Sequence, residues 1–397
     1  MEAMTENKEA CAEQGRSVPP LRFGEYNDSW EKMKLGDVGK VKMCKRIFSN
    51  QTTEKGDIPF YKIGTFGKVA DAFIDIDLYN EFKLKFSYPK VGEILMSASG
   101  TLGRTVVFDG SPSYYQDSNI VWLENNEELI TNNFLYYIYQ IVRYDSEGGT
   151  IQRLYNSIIL NTKFHKPTLP EQQKIATFLS SVDAKLQQLS KKKSLLADYK
   201  KGVMQKLFNY ECENDELRIR FKDAKGKDYP DWEEKKLGEV STKKSSNISA
   251  NAIVENVGNY KLYGASGFLK GVDFYREESP FISIVKDGAG VGRVLLCEPF
   301  SSVLGTLDVI KPTKGNNLYF IYTLLQRIPF VKYTIGSTIP HIYFKDYSNE
   351  KVGVPKFEEQ QKIATFLSAL DVKIEMVNTQ INNTQGFKKG LLQQMFV

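Results

Sequence analysis

The feature that most limits the fold of this chain is a stretch of ten residues that occurs twice. Glu171 to Ser180 reads Glu-Gln-Gln-Lys-Ile-Ala-Thr-Phe-Leu-Ser, and the same residues return from Glu359 to Ser368, an offset of 188 positions. At the same offset, Lys200-Lys-Gly202 returns as Lys388-Lys-Gly390. Self-similarity at a fixed offset is the signature of a duplicated structural unit, so we expect two similar halves.

Both copies are predicted to form long helices, because neither contains proline and their apolar residues recur at spacings of three and four. The first stripe skips Lys193 and consists of Ile175, Phe178, Val182, Leu186, Leu189, Leu196, Tyr199, Val203 and Leu207. The second consists of Ile363, Phe366, Leu370, Ile374, Val377, Ile381, Phe387, Leu391 and Met395. A narrow seam along about 57 Å of helix needs a partner helix. We therefore predict an internal coiled coil; two separate amphipathic helices would leave the matching periods unexplained.

A weaker repeat marks the start of each half. Leu21-Arg-Phe23 precedes Trp30, and Ile219-Arg-Phe221 precedes Trp232 in the same way. The predicted order is a disordered tail (1–18), a first variable domain (19–165), a central long helix (166–210), a charged linker (211–230), a second variable domain (231–355) and a C-terminal long helix (356–397). The linker and the tail are polar, which is typical of segments without a packed core.

The region between each opening motif and its long helix is predicted to be a small α+β domain. Short apolar runs broken by glycine and proline indicate strands, for example Glu93 to Ser97 and Phe281 to Val285, and one helix is predicted in each domain, at Asn133 to Tyr144 and at Leu318 to Ile328. A glycine turn lies between two strands in each region, from Ser99 to Arg104 and from Asp287 to Arg293. The fold class is therefore α+β with an internal repeat.

Composition limits the class of protein. The chain has 397 residues, 41% of them hydrophobic, and a net charge of +5, which permits a nucleic-acid partner without requiring one. The sequence contains no run of about 18 apolar residues that could span a membrane. The four cysteines lie far apart, so neither a zinc site nor a disulfide framework is predicted, and a soluble, cytoplasmic protein is expected.

Motifs that suggest catalysis are weak. Gly288-Ala-Gly-Val-Gly292 has Arg293 where the dinucleotide fingerprint needs glycine, and a strand is predicted to follow it. The segment from Pro230 to Lys235 contains the letters of a nuclease metal site compressed into one turn. No Walker loop occurs, and the two histidines have no metal-binding spacing. We therefore predict no catalytic residue, metal site or cofactor in this chain.

Cationic, amide and aromatic side chains cluster around the candidate loops of both domains. Arg and Gln can contact base edges, Lys can neutralise phosphates, and the segments Thr150 to Tyr155 and Thr338 to Tyr343 recur at the same offset. The candidate DNA-binding residues are Tyr61, Lys62, Lys83, Lys85, Thr101, Arg104, Gln152, Arg153 and Tyr155 in the first domain, and Tyr263, Lys286, Arg293, His341, Tyr343 and Lys345 in the second.

The doubled layout of Trp, Leu-Gly, variable domain and Glu-Gln-Gln-Lys-Ile-Ala helix resembles the specificity subunit of type I restriction-modification systems. It covers nearly the whole chain. The resemblance implies two target-recognition domains joined by two long helices that pair antiparallel in a pseudo-twofold repeat, each domain reading one half of a bipartite site in double-stranded DNA. It also implies that methylation and cleavage, with S-adenosylmethionine, ATP and Mg, belong to two modification subunits and to restriction subunits. The chain itself lacks the Asn-Pro-Pro-Tyr/Phe motif of adenine methylases.

The two long helices also carry identical residues on faces that do not belong to the seam. This identity suggests that one kind of partner docks twice. The predicted docking residues are Gln172, Gln173, Lys174, Lys200 and Lys201 in the first copy and Gln360, Gln361, Lys362, Lys388 and Lys389 in the second. Two alternatives stay open. The chain could be a scaffold with two peptide- or protein-binding modules on a coiled-coil spacer, or a self-contained nuclease, which would cleave DNA with Mg alone.

Overall fold

The computed structural model describes residues 18–142, 144, 153–208 and 219–397. The predicted tail, apart from Val18, and the first part of the predicted linker lie outside these residues. The chain divides into two compact units, the first comprising Met1–Leu189 and Gln380–Val397, the second Ser190–Thr379. Each unit thus contains one variable region and part of both long helices. The domain boundaries given above remain a prediction.

The first unit contains short strands and helices before the first long helix. The strands are β1 (Glu31–Lys34), β2 (Gly39–Lys42), β3 (Ile58–Tyr61), β4 (Phe73–Ile74), β5 (Ile94–Ser97), β6 (Thr105–Val107), β7 (Tyr114–Tyr115), β8 (Ile120–Asn125) and β9 (Lys163–Lys166). The helices are α1 (Leu35–Val38), α2 (Ile76–Lys85), α3 (Asn132–Ile141), α4 (Asn156–Asn161) and the long α5 (Leu169–Leu207), which ends in the second unit. The predicted helix near Asn133 is therefore α3.

The second unit repeats the pattern. Its strands are β10 (Glu233–Lys236), β11 (Ser241–Ser245), β12 (Tyr260–Gly264), β13 (Gly267–Val272), β14 (Phe281–Val285), β15 (Val294–Cys297), β16 (Ser301–Val303), β17 (Leu307–Pro312) and β18 (Lys351–Val354). Its helices are α6 (Leu237–Val240), α7 (Leu318–Leu325), α8 (Phe344–Tyr347) and the long α9 (Phe357–Gln394), which ends in the first unit.

The sheets of the two units correspond strand for strand. In the first unit, an antiparallel sheet has the order β2-β8-β5-β6, a smaller sheet the order β4-β3-β7, and β1 pairs with β9. In the second unit the orders are β11-β17-β14-β15 and β13-β12-β16, and β10 pairs with β18. Even the parallel pairs match, β3 with β7 and β12 with β16. The two variable regions share one topology.

The central strands of each four-stranded sheet are buried on both faces. Along β5, Ile94 and Met96 point into a core that includes α3 and the long helices, whereas Leu95 points into a second core beside the smaller sheet. The same alternation occurs on β14, where Ile282 and Ile284 face one core and Phe281 faces another. Successive side chains of a strand point to opposite faces, so a sheet with two covered faces needs continuous apolar runs.

The long helices run antiparallel within the second unit. Lys200 of α5 forms an ion pair with Asp371 of α9 at 2.5 Å, and Lys193, earlier on α5, donates to Asn378, later on α9, at 2.6 Å. In the first unit, Lys388 of α9 pairs with Asp183 of α5 at 2.7 Å, which is the repeat-equivalent contact. Each unit therefore holds the same antiparallel arrangement.

One detail of the predicted seam is wrong. Tyr199 and Phe387 are 55% and 56% exposed, and the next residues, Lys200 and Lys388, are turned inward instead, with side chains 13% and 15% exposed. The alternating steps of four and three residues that continue from Leu196 fall on Lys200 and then on Val203. A lysine can occupy such a position because an aspartate of the facing helix neutralises its ammonium group.

Candidate nucleic-acid interface

A glycine turn connects two antiparallel strands in each unit, as predicted. In the first unit the turn lies between β5 and β6, and the Ser97 hydroxyl accepts from the Arg104 amide at 2.8 Å and donates to the Thr101 carbonyl at 2.5 Å. In the second unit the turn lies between β14 and β15, and Gly292 has φ +82°, where an added Cβ would lie 2.6 Å from Phe330 Cβ. Only glycine fits that position, because the conformation and the space both exclude a side chain.

A second segment lies beside each glycine turn. Arg153 forms an isolated backbone bridge with Ser99, and His341 forms the equivalent bridge with Asp287. Next to these bridges, the Leu154 amide donates to the Ala98 carbonyl and the Ile342 amide donates to the Lys286 carbonyl, each at 2.9 Å. The two motifs that the sequence analysis found separately therefore meet in both units.

A third loop joins this cluster, and of its residues only Lys62 was among the candidates predicted from the sequence. Arg104 Nη1 donates to the Phe66 carbonyl at 3.0 Å, and Arg293 Nη1 donates to the Ala265 carbonyl at 2.6 Å. Phe66 follows β3, and Ala265 follows β12, its equivalent strand. Each arginine thus fixes a hairpin loop and keeps its other N–H donors. The available signal was weak: the loop contains an apolar residue, Val69, that is 88% exposed.

We call these three segments in each unit the loop cluster: residues 62–70, 98–104 and 153–155 in the first unit and residues 264–268, 286–293 and 341–343 in the second. Tyr155 and Tyr343 occupy equivalent positions and are 50% and 47% exposed. The Tyr343 ring contacts the His341 ring at 5.1 Å between centroids, and Lys345 Nζ lies 5.3 Å from its centre. This group presents aromatic and cationic side chains on one surface.

The remaining cationic candidates in the first unit make contacts within the chain. Lys62 pairs with Asp71 at 2.8 Å and stays 42% exposed, and Arg153 donates to the Ser118 carbonyl at 3.3 Å. Lys83 and Lys85 lie on α2 and not on the loop cluster; Lys83 contacts a tyrosine hydroxyl at 3.2 Å and Lys85 pairs with a glutamate one turn earlier. Gln152 lies outside the described residues.

The other predicted residues differ in burial. Thr101 and Arg293 are exposed, and Tyr61 stacks on Tyr115 with 5.7 Å between ring centroids. Lys286 pairs with the buried Asp308 at 3.3 Å. Tyr263 is only 8% exposed, and burial raises the pKa of its hydroxyl. Its assignment to DNA contact is corrected here, because its ring belongs to the core beneath the loop cluster.

The structure also corrects part of the predicted docking surface. Gln172 and Gln360 are 0% and 1% exposed, so they do not lie on an outer helix face. The Gln172 amide oxygen accepts from the Thr131 N–H at 2.9 Å, and the Gln360 oxygen accepts from the Asn317 N–H at 2.9 Å. Both backbone groups belong to N-cap residues, of α3 and α7. These glutamines therefore attach the recognition domain to the long helix.

Aspartates about three turns further along provide a second attachment. Tyr137 of α3 donates its hydroxyl proton to Asp183 at 2.9 Å, and Tyr319 of α7 donates to Asp371. These aspartates are also the partners of Lys388 and Lys200, so both lysines are engaged within the chain and are not available on an outer face.

The opening motif of each half covers the start of a long helix. Arg22 makes two hydrogen bonds of 2.7 Å to Glu171, which is 1% exposed, and Arg220 makes the equivalent contacts to the fully buried Glu359. Burial of each carboxylate is offset by a paired guanidinium. Lys174 lies 4.9 Å from the centre of the Phe23 ring, so the opening motif also occupies this predicted docking residue.

The equivalent Lys362 contacts the opening segment of the second half, since its ammonium donates to the Lys222 carbonyl and lies 5.6 Å from the centre of the Tyr229 ring. Five of the predicted docking residues are exposed: Gln173, Lys174, Lys201, Gln361 and Lys389. Of these, Lys174 is engaged by the opening motif.

Among the described residues, no three His, Cys, Asp or Glu side chains are arranged to hold a metal ion. In the same part of the chain, no helix is both long enough and apolar enough to cross a membrane.

The comparisons with known proteins agree with this architecture. The family model described as "Type I restriction modification DNA specificity domain" matches residues 27–197 and 229–384, one match for each half. The chain therefore belongs to the type I restriction-modification specificity subunits.

Relatives and a solved structure support this assignment. The putative type I restriction enzyme MjaX specificity subunit of Methanocaldococcus jannaschii is 28% identical over 93% of both chains. A putative type I restriction enzyme specificity subunit of Haemophilus influenzae is 57% identical, but the match covers 38% of this chain and 40% of that relative. The crystal structure of a type I restriction-modification S subunit from M. genitalium is 20% identical, with a TM-score of 0.64 over 96% of this chain and 99% of that one. The fold is thus two similar target-recognition domains and two long helices that pair antiparallel.

Proposed function

We propose that this chain recognises a bipartite site in double-stranded DNA, with each loop cluster reading one half-site. The observation that carries the proposal is the equivalence of the clusters: both units bring together a hairpin loop, a glycine turn and a cation-bearing segment by the same backbone contacts. The framework is repeated, while the exposed side chains differ, as in Arg153 against His341. Equivalent frameworks with different contact residues suit two readers of different base sequences.

Tyr155 and Tyr343 provide a matched test, because they occupy equivalent positions and are almost equally exposed. Tyr343→Ala should weaken or relax recognition of one half-site by about 1–3 kcal/mol, the usual cost of a lost base contact, and Tyr155→Ala should affect the other half-site. The measurement is methylome sequencing of a host that carries the chain with its methylase. If either substitution changes both half-sites together, the modular proposal fails.

We propose that catalysis belongs to partner subunits: two modification subunits with S-adenosylmethionine, and restriction subunits with ATP and Mg. The exposed residues Gln173, Lys201, Gln361 and Lys389 remain as the proposed docking positions. Lys389→Glu should weaken co-purification of the modification subunit, whereas Lys192→Glu, an exposed lysine outside this set, should not. Equal recovery of the subunit with both variants would refute this placement.

The alternative is a scaffold whose two modules bind peptides or proteins. Neutralisation of DNA phosphates makes affinity fall steeply with salt, so a DNA-binding chain should lose affinity for duplex DNA between 50 and 200 mM salt. A peptide-binding scaffold should show no such affinity for DNA at either salt concentration.

A further inference from the structure

A cleft in the second unit carries positive charge that the proposed half-site contacts do not use. Its volume is about 560 Å³, and it is lined by the end of α5, by residues that follow α7 and by the glycine turn of the loop cluster. The cations in its wall are Lys200, Lys201 and Arg327. Asp371 neutralises Lys200, so Lys201 and Arg327 are the cations that the cleft offers to a ligand.

Arg327 is held in place without an acidic partner among the described residues. Its Nη1 donates to the Met204 carbonyl at 3.4 Å, and its guanidinium carbon lies 5.2 Å from the centre of the Phe208 ring. Burial lowers the pKa of this guanidinium, and no carboxylate there offsets the effect. Arg327 is an exposed residue, so its remaining N–H donors are open to solvent and to an anionic ligand.

Capping of α5 explains only part of this arrangement. A cation at the C-terminal end of a helix interacts favourably with the helix dipole, and the bond to Met204 has that character. That bond is long, and a guanidinium has five N–H donors, so most of the donors of Arg327 are left for another acceptor. Gly292 and Val294 line the same cleft, which places it next to the proposed DNA-reading loops.

We propose that this cleft binds a phosphate of the DNA backbone, with Arg327 and Lys201 as the contacting residues, beside the half-site that the second unit reads. The inference rests on the proposed DNA-binding function and adds a contact that is independent of base sequence. It reassigns Lys201 from subunit docking to DNA. Backbone contacts fix the register of a protein on the duplex, so the cleft would position the second loop cluster.

The test measures the affinity of the full chain for a fluorescent 30-base-pair duplex of random sequence, by anisotropy, between 50 and 200 mM KCl. Each neutralised phosphate contributes about 0.9 to the slope of log affinity against log salt concentration. A slope of this size lowers the affinity about 3.5-fold between 50 and 200 mM KCl. Arg327→Gln and Lys201→Gln should each reduce the slope, and the double variant should reduce it by about 0.9, because both side chains contact the same phosphate. Lys192→Gln, which removes the same charge from an exposed position of α5 outside the cleft, should leave it unchanged.

Arg327 also packs on Phe208, so the thermal unfolding of its variant is recorded first. Lys201 is exposed, so its variant keeps the test valid if Arg327→Gln fails to fold. Slopes for both variants equal to that of Lys192→Gln would overturn the phosphate site while the DNA-binding function stands. If the slopes stay unchanged but the variants no longer co-purify with the modification subunit, the cleft binds a carboxylate of that subunit. This result would also overturn the phosphate site. A wild-type chain without salt-dependent DNA affinity would refute the proposed function itself.

Discussion

The ion pair between Lys388 and Asp183 should stabilise the first unit more than the pair between Lys200 and Asp371 stabilises the second. Lys388→Met removes the cation next to Asp183, which is 24% exposed and still bound by the Tyr137 hydroxyl. Breaking a buried pair costs about 3–5 kcal/mol and an exposed pair about 0–1, so this intermediate site should cost about 2 kcal/mol. Asp371 is 40% exposed, so Lys200→Met should cost about 1 kcal/mol.

Hydrogen exchange read by mass spectrometry resolves the two units in the intact chain. A loss of about 2 kcal/mol corresponds to roughly 30-fold faster exchange in α3 for Lys388→Met, and about 1 kcal/mol to roughly fivefold in α7 for Lys200→Met. Lys389→Met is the control, because its side chain is exposed and the composition change is the same. Unchanged exchange in α3, or an equal effect of the control, would refute the assignment of Lys388 to the helix seam.

The remaining predictions concern stability and reactivity. Gln172→Ala should cost about 1–3 kcal/mol in urea unfolding, because it removes the acceptor of the part-buried Thr131 amide, whereas Gln173→Ala on the exposed face should cost under about 0.5. Gly386→Ala, inside α9 with nothing within 4 Å of the new Cβ, should raise the free energy of unfolding by about 0.5–1 kcal/mol. Burial raises the pKa of the Cys297 thiol to about 11, so at pH 8 it should resist alkylation until urea is added, as read by peptide mass spectrometry. Burial raises the pKa of Tyr115 to about 12, above the unfolded value near 10. The contribution of Tyr115 to the free energy of unfolding is therefore complete below pH 10, and about 3 kcal/mol of it is lost as the pH rises to 12. Unfolding measured in a pH series checks this loss.

Much of the architecture can be predicted from the sequence because the sequence contains an internal repeat. The repeat of Glu171 to Ser180 predicts two halves and two long helices, and short continuous apolar runs predict the central strands. The side of the helix that faces inward is harder to predict. A hydrophobicity scale favours burial of Tyr199 over the charged Lys200, whereas the structure turns Lys200 inward. The sequence holds no local sign that Asp371 of a distant helix will neutralise that lysine.

The loop cluster was predicted in part. The segment from Thr150 to Tyr155 shares the 188-residue offset with its counterpart, and the glycine turns have similar places between two strands, so both could be paired from the sequence. The hairpin loop could not, because it joins the cluster through a carbonyl, and a carbonyl carries no sequence signal. Burial of Gln172 and Gln360 was missed for a related reason: identical residues in both copies indicate a shared role, but not whether that role is with a partner or within the chain.

Each recognition domain is fastened to its long helix by the same two chemical groups, although the tyrosine comes from a different turn of the domain helix. Tyr137 is in the middle of α3, whereas Tyr319 is near the start of α7, and both reach an equivalent aspartate. A foreign domain could therefore be grafted onto either helix if its own helix offers a free N-cap amide to the glutamine and a hydroxyl on the face toward the aspartate. The residues of its loop cluster would be under no such constraint, so one scaffold can accept domains of very different sequence.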